Sequence, residues 1–226
     1  MSRSDNALPG IDHPFSDPGL LREALTHRSL SSRNNERLEF LGDAVLNFVI
    51  TAELFHARQD DDEGSLSRLR SRVVRGETLA RVARSLGLGD HLLMGEGALK
   101  SGGYLRDSVL ADALEAVLGA VYLDGGQAAA ERVIRSLFSP VIAGLPDAES
   151  LKDAKTRLQE WLQARGRPLP VYELVREEGA DHAKRFHVRC RLEDSRFEAE
   201  ASGTSLRKAE QAAAAAALEA QDGDDG

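Results

Sequence analysis

The sequence has one cysteine, Cys190, so no intramolecular disulfide can form, and the chain is expected to work in a reducing compartment. It has no excess of positive charge. Against 29 Lys and Arg stand 37 Asp and Glu, a net charge of −8, so no global positive field recruits an anionic partner. It has no long apolar run either: Val109 to Leu123, the most apolar stretch, is broken by Asp112 and Glu115 and is too short to span a bilayer. The start, MSRSDNALPG, lacks the apolar core of a secretory leader. Together these absences lead to the expectation of a cytoplasmic protein with no membrane partner. Several chemistries are missing as well. No Cys/His set has zinc spacing, and Ser101-Gly102-Gly103 lacks the Gly-Lys-Ser/Thr ending of a phosphate loop. Glu53 and His56 have the Glu-x-x-His spacing of di-iron bundles, but such bundles need a second copy and the sequence has none.

What is present is an ordinary foldable composition, 42% hydrophobic and 29% charged, which excludes a mostly disordered chain. Its 226 residues allow one large domain or two modest ones. Two halves differ in grammar. Residues 1–150 carry 16 basic and 22 acidic side chains, whereas residues 151–220 carry 13 and 12. From Leu20 to Ile142 the apolar period is helical, with Gly64, Gly87, Gly89, Gly102–Gly103 and Gly125–Gly126 between the runs, where helix ends are expected. Gly144-Leu145-Pro146-Asp147 closes this all-α half. A helix is predicted over Ala154 to Arg165, stopped by Gly166 and Pro168. The period then falls to two: Phe186, Val188, Cys190 and Leu192 alternate with His187, Arg189 and Arg191, and Phe197, Ala199 and Ala201 with Glu198 and Glu200. With Val171 to Arg176 before them, these make an antiparallel meander. Six alanines, Ala212 to Ala217, mark a last helix whose small face packs on a sheet. The expected organisation is multi-domain: an all-α domain at 1–146, a linker at 147–151, an α+β (αβββα) domain at 152–221 and an acidic tail at 222–226.

The informative residues are acids inside the most apolar helices. Glu36, Glu39 and Asp43 are spaced i, i+3, i+7, which returns to one face. Around them Leu38, Phe40, Leu41, Val45, Leu46, Phe48 and Val49 wrap most of the circumference, which predicts a buried helix whose acids look inward or into a cleft. Asp112 and Glu115 repeat the arrangement among Leu110, Leu114, Val117 and Leu118. Two carboxylates ~4 Å apart repel by about 4 kcal/mol at an effective dielectric of 20. Such a cluster must bind protons or a cation. Oxygen ligands without cysteine favour a hard cation, Mg²⁺ first and Mn²⁺ as a substitute.

The run Asn34-Asn35-Glu36-Arg37-Leu38-Glu39-Phe40-Leu41-Gly42-Asp43-Ala44-Val45-Leu46 closely resembles the signature helix of the ribonuclease III family. Leu25-Thr26-His27-Arg28-Ser29, Glu63-Gly64-Ser65-Leu66-Ser67 and Leu110-Ala111-Asp112-Ala113-Leu114-Glu115-Ala116 also match, in order. The resemblance implies a ribonuclease III-type endonuclease domain with Glu39, Asp112 and Glu115 as metal ligands and Asp43 with Glu115 in the catalytic cluster. Glu36 and Glu63 fall at positions linked with the active valley, although Glu36 fits a surface ion pair with Arg37 or Arg33 equally well. Asn47, one turn along the acidic face, reads as a hydrogen-bonding residue, and His27 as a structural one. Phe40 is either a knob packing into a second subunit or an ordinary core aromatic.

The second half resembles a double-stranded RNA-binding domain at three places: Lys152 to Glu160, Gly179 to Phe186 and Gly203 to Glu210. Thr156, Gln159 and Glu160, at i, i+3, i+4, suit 2′-hydroxyls and base edges in the shallow minor groove of A-form RNA. His182 and Lys184 sit in a loop suited to the next minor groove. Arg207 and Lys208 start a helix, where cations and free N–H groups favour phosphate. Leu206 stands where the family usually has a basic residue, and Trp161 is expected in the core. The implied function is Mg²⁺-dependent hydrolysis of double-stranded RNA to 5′-phosphate and 3′-hydroxyl ends with two-nucleotide 3′ overhangs. A two-fold homodimer would cut one strand per subunit. Ribosomal RNA precursors and some structured messenger and transfer RNAs are the expected substrates. The rival readings are a non-cleaving double-stranded RNA-binding regulator and an all-α phosphohydrolase of small nucleotides.

Overall fold

The computed structural model describes residues 7–147, 151–179, 184–194 and 197–222. It divides into two compact units, Met1–Ala148 and Glu149–Gly226.

The first unit is helical: α1 (Pro18–Ala24), α2 (Glu36–Ala57), α3 (Glu63–Val73), α4 (Gly76–Ser85), α5 (Glu96–Lys100) and α6 (Asp107–Ala143). Local chemistry sets the helix starts. Asp17 accepts from the Gly19 N–H, Pro18 opens α1, and Asp62 accepts from the Ser65 N–H at the head of α3. Gly126, at φ +71°, breaks α6 where the Gly125–Gly126 pair predicts a helix end. Just before the break, Asp124 receives the N–H groups of Ser16 and Asp17, both at 2.9 Å, and lies 2.8 Å from His13 Nε2. It thereby ties the N-terminal segment, with buried Leu8, Ile11 and Phe15, to α6.

Leu110, Leu114, Val117, Leu118 and Val121 of α6 form the centre of the core, met by Leu46, Val49, Ile50 and Leu54 of α2. The two helices touch backbone to backbone. A Cβ on Gly42 would stand 1.8 Å from the Glu115 carbonyl oxygen, and one on Gly119 would stand 2.3 Å from that of Leu38. The expectation that α2 is buried nearly all round fails within one chain. Phe40 is 81% exposed, Phe48 58% and Phe55 65%. The core face of α2 is taken by Leu38, Gly42, Leu46, Val49, Ile50 and Leu54, and the aromatics lie off it.

The second unit is α7 (Ala154–Ala164), β1 (Val171–Glu178), β2 (Arg185–Arg191), β3 (Glu198–Gly203) and α8 (Leu206–Asp222). The strands form an antiparallel sheet in the order β1-β2-β3. Val188 and Cys190, flanked in register by Leu174 and Tyr172 on one side and Ala201 and Ala199 on the other, carry the buried face. Leu158, Leu162, Ala209, Ala213, Ala214 and Ala217 cover it from the helices. An irregularity between Leu174 and Arg176 carries β1 two residues beyond the predicted Arg176. Trp161 packs against the core but is only half buried, and the guanidinium of Arg165 lies 3.9 Å from its ring centre. Its outer surface is therefore covered by a cation.

Candidate active site

The glycine contact between α2 and α6 decides the site. With the two backbones this close, Glu39 of α2 meets Asp112 and Glu115 of α6. One carboxylate oxygen from each lies within 4.8 Å of the others, and all three residues are half-buried. Asp43 lies outside that set and is exposed. Its carboxylate is held by Asn47, whose side-chain N–H donates to Asp43 Oδ1 at 2.7 Å and to its carbonyl at 2.9 Å. Glu36 pairs with neither Arg37 nor Arg33 but with Arg28, at 3.6 Å, while Arg33 engages Glu23. Glu63 starts α3 and lines a separate cavity with Thr51, Phe55, Leu66 and Arg70.

Burial and crowding both resist ionisation here. Burial first, then the charges of Asp43, Glu39 and Asp112, push the Glu115 pKa up to about 8. Glu39 is raised by burial and by Asp112 and Glu36, with Arg28 opposing. Asp112 is raised by burial, against Arg28 and His27. Three crowded oxygen donors that hold their charges at a cost are suited to a hard divalent cation, so the residues present fit one.

Beside the carboxylates opens a cavity of about 440 Å³, lined by Glu39, Asp112, Arg28, Arg106, Asn35 and Ser108, among others. The segment through His27 that walls it is pinned. The His27 N–H donates to Leu93 O (2.9 Å), and Leu93 N–H donates back to Leu25 O (2.8 Å). His27 Nδ1 accepts from the Ser29 N–H at 3.1 Å, as a structural histidine would.

A family profile described as Ribonuclease-III-like matches residues 17–141, and one described as Double-stranded RNA binding motif matches residues 154–221. The chain is 53% identical over 215 residues to Ribonuclease 3 of Dechloromonas aromatica, covering 95% of this chain and 97% of that one. It is 52% identical over 204 residues to Ribonuclease 3 of Xanthomonas axonopodis pv. citri, covering 90% of each. The chain belongs to the ribonuclease III family. Among solved structures, the nuclease domain of ribonuclease III from Campylobacter jejuni, in which a region involved in dimer formation shows structural flexibility, is similar at a TM-score of 0.56. That match has 45% identity and covers 57% of this chain and 92% of that one. As a ribonuclease III-family enzyme the chain is an endoribonuclease acting on double-stranded RNA, and the family's need for a divalent metal applies to it.

The second unit of this family member carries the RNA-facing candidates on described elements, except His182, which lies outside the described residues. Thr156, Gln159 and Glu160 lie along α7, whose N-terminus is capped by Asp153. Glu160 holds Lys152 at 2.5 Å, and Lys184 lies 4.0 Å from Glu177. Arg207 and Lys208 are exposed in the first turn of α8, and the Lys208 N–H bonds Ser205 Oγ at 3.3 Å. Leu206 beside them is exposed and adds no charge. The opposite sheet face is tied up in cross-strand pairs, Arg189 with Glu200 and Arg191 with Glu173. Sequence reasoning missed Arg28, Arg106 and Asn35 as lining of the cavity. No spacing signal marks them, because they come from three segments that only the fold brings together.

No helix among the described residues is long and apolar enough to cross a membrane.

Proposed function

We propose that Glu39, Asp112 and Glu115 hold Mg²⁺, with Mn²⁺ as a substitute, and that the enzyme hydrolyses duplex RNA there to 5′-phosphate and 3′-hydroxyl ends with two-nucleotide 3′ overhangs. The observation that carries this reading is the convergence of the three carboxylates from two helices within 4.8 Å. A bound cation at these oxygens polarises a phosphate and lowers the pKa of an attacking water. The chain's own residues do the rest. Asp43, steadied by Asn47, adds negative charge that disfavours a bare Glu115 carboxylate and so strengthens its hold on a positive partner, proton or metal ion. Arg28 offsets part of the acidic charge at Glu39 and Asp112 and offers a partner to the RNA backbone. In the second unit, Thr156, Gln159 and Glu160 meet 2′-hydroxyls and base edges, and Lys184, Arg207 and Lys208 meet phosphates. The enzyme works in the cytoplasm on ribosomal RNA precursors and structured messenger and transfer RNAs.

A duplex needs two cuts, and a two-fold homodimer supplies two sites. The exposed aromatics of α2 support this reading. Antiparallel packing of α2 on its copy about an axis near Phe48 sets Phe40 of one subunit against Phe55 of the other, because 15 residues of helix span about 22 Å. Next to Phe55 lies a cavity of about 390 Å³ whose apolar lining includes Leu54 and Leu66, with Glu63 at its edge. Phe40 fits there as the knob, which also brings Glu63 to the interface.

The test incubates the protein with matched single- and double-stranded RNA in Mg²⁺, Ca²⁺ or EDTA. Cleavage of the duplex alone, in Mg²⁺ and not in EDTA, is expected. Binding without cleavage in Mg²⁺ would instead indicate a regulator.

A further inference from the structure

Asn35 is a largely enclosed amide with no side-chain partner among the described residues. It is only 4% exposed, yet among the described residues no hydrogen bond reaches its side-chain amide. Its backbone is fully used, the N–H donating to Thr26 O at 2.9 Å and the carbonyl accepting from Glu39 N–H at 2.8 Å. The residue stands at the N-cap of α2 without capping it, and Asn34 Oδ1 takes the Glu36 N–H instead, at 3.0 Å. Polar groups so largely enclosed are mostly hydrogen-bonded within the protein, and this amide, unpaired and fixed by its backbone, is left able to take a partner from outside the chain. The amide atoms are not sealed from solvent. Asn35 lines the cavity that also contains Glu39 and Asp112.

The neighbours narrow the chemistry of that partner. Arg28 and Arg106 line the same cavity and are the groups there suited to an anion such as a phosphate oxygen. Glu39 and Asp112 are suited to a cation. A neutral carboxamide beside them offers one acceptor and two donors, and so pairs best with a neutral group that both donates and accepts. On A-form RNA the group of this kind displayed along the minor groove, next to every phosphate, is the ribose 2′-hydroxyl. We propose that Asn35 hydrogen-bonds the 2′-hydroxyl of a nucleotide next to the cleaved bond, so that the nuclease unit itself separates RNA from DNA. The assignment rests on duplex cleavage at Glu39, Asp112 and Glu115.

The test walks a single 2′-deoxy substitution along each nucleotide around the cut of a short duplex. Single-turnover cleavage is measured with the wild type and with Asn35→Ala. Binding of the same duplexes is measured with Glu115→Gln and with Glu115→Gln/Asn35→Ala. For the wild type, one position near the cut loses about tenfold in rate, the order expected of one neutral hydrogen bond. In Asn35→Ala the all-RNA duplex is cut about tenfold more slowly, and the 2′-deoxy penalty disappears at that position alone. The binding series shows the same non-additivity. A purely structural asparagine would slow every duplex alike and leave the pattern of penalties unchanged, and that result overturns the proposal. Asn35→Ser serves in the same cycle if the alanine variant melts early. A wild type that cuts no duplex RNA would overturn the cleavage reading itself, and the binding series would still decide Asn35.

Discussion

Glu115 is the side chain under most electrostatic stress, held up to a pKa of about 8 by burial and by the charges of Asp43, Glu39 and Asp112. Glu115→Gln keeps its volume and removes one carboxylate of the proposed metal site. Cleavage is expected to fall by several orders of magnitude while duplex affinity in a gel shift changes by less than about twofold. Added Mg²⁺ should raise the melting temperature of the wild type and leave that of the variant unmoved. Wild-type turnover in the variant would remove Glu115 from the site. Asp124 shows the opposite balance. Burial opposes its charge, but the N–H groups of Ser16 and Asp17 and the His13 ring outweigh burial and hold its carboxyl below the usual 3.8. A depressed carboxylate stabilises the fold above its unfolded pKa, and that stabilisation is lost as pH falls through the folded value. Asp124→Asn should therefore cost about 2 kcal/mol at pH 7, and its stability should change less than the wild type's as the pH drops below about 4. Urea titrations at several pH values measure both. The acids of the site were legible because the same improbable spacing recurs in two apolar helices. Asn35 was not, because its enclosure is a tertiary fact: its N–H bonds Thr26 O in a segment outside α2, and it lines the cavity with residues of α6.

At the scale of elements, α2 and α6 bring Glu39, Asp112 and Glu115 together because two glycines let their backbones meet. Gly42→Ala would drive a Cβ into the Glu115 carbonyl. Overpacking of this kind costs about 1–3 kcal/mol or more, and here the cost is paired with separation of Glu39 from Glu115. The expected outcome is a lower melting temperature together with a loss of activity larger than the loss of folded protein, read by circular dichroism and cleavage at a temperature where both proteins are folded. Activity equal to wild type per folded molecule would show that the contact is not what sets the site. The helices themselves were readable from a 3.6-residue period, and the meander from a period of two, because each period reports one buried face. The irregularity in β1 was not readable, since an extra residue leaves the alternation intact on either side of it.

At the scale of the molecule, the exposed Phe40, Phe48 and Phe55 mark the first unit as incomplete alone, and the proposed two-fold pair follows from them. Phe40→Glu should weaken dimerisation by about 30-fold or more in sedimentation and lower cleavage at protein concentrations below the new dissociation constant. In a heterodimer of wild-type and tagged Glu115→Gln subunits, the one working site should nick a single strand of a short duplex. Double-strand cleavage in one binding event, or a wild type that sediments as an active monomer, contradicts the pairing. By itself the sequence determined the helical and α-β-β-β-α halves and the acids to watch, because periodicity and spacing are local properties written along the chain. Tertiary structure alone decided which of those acids converge, which arginine faces them, that Asn35 is buried without a partner, and that the apolar side of α2 is left uncovered. Those are facts about segments far apart in sequence, and they come into being only when the glycine contact of α2 with α6 and the hydrogen bond of Asn35 to Thr26 bring those segments together.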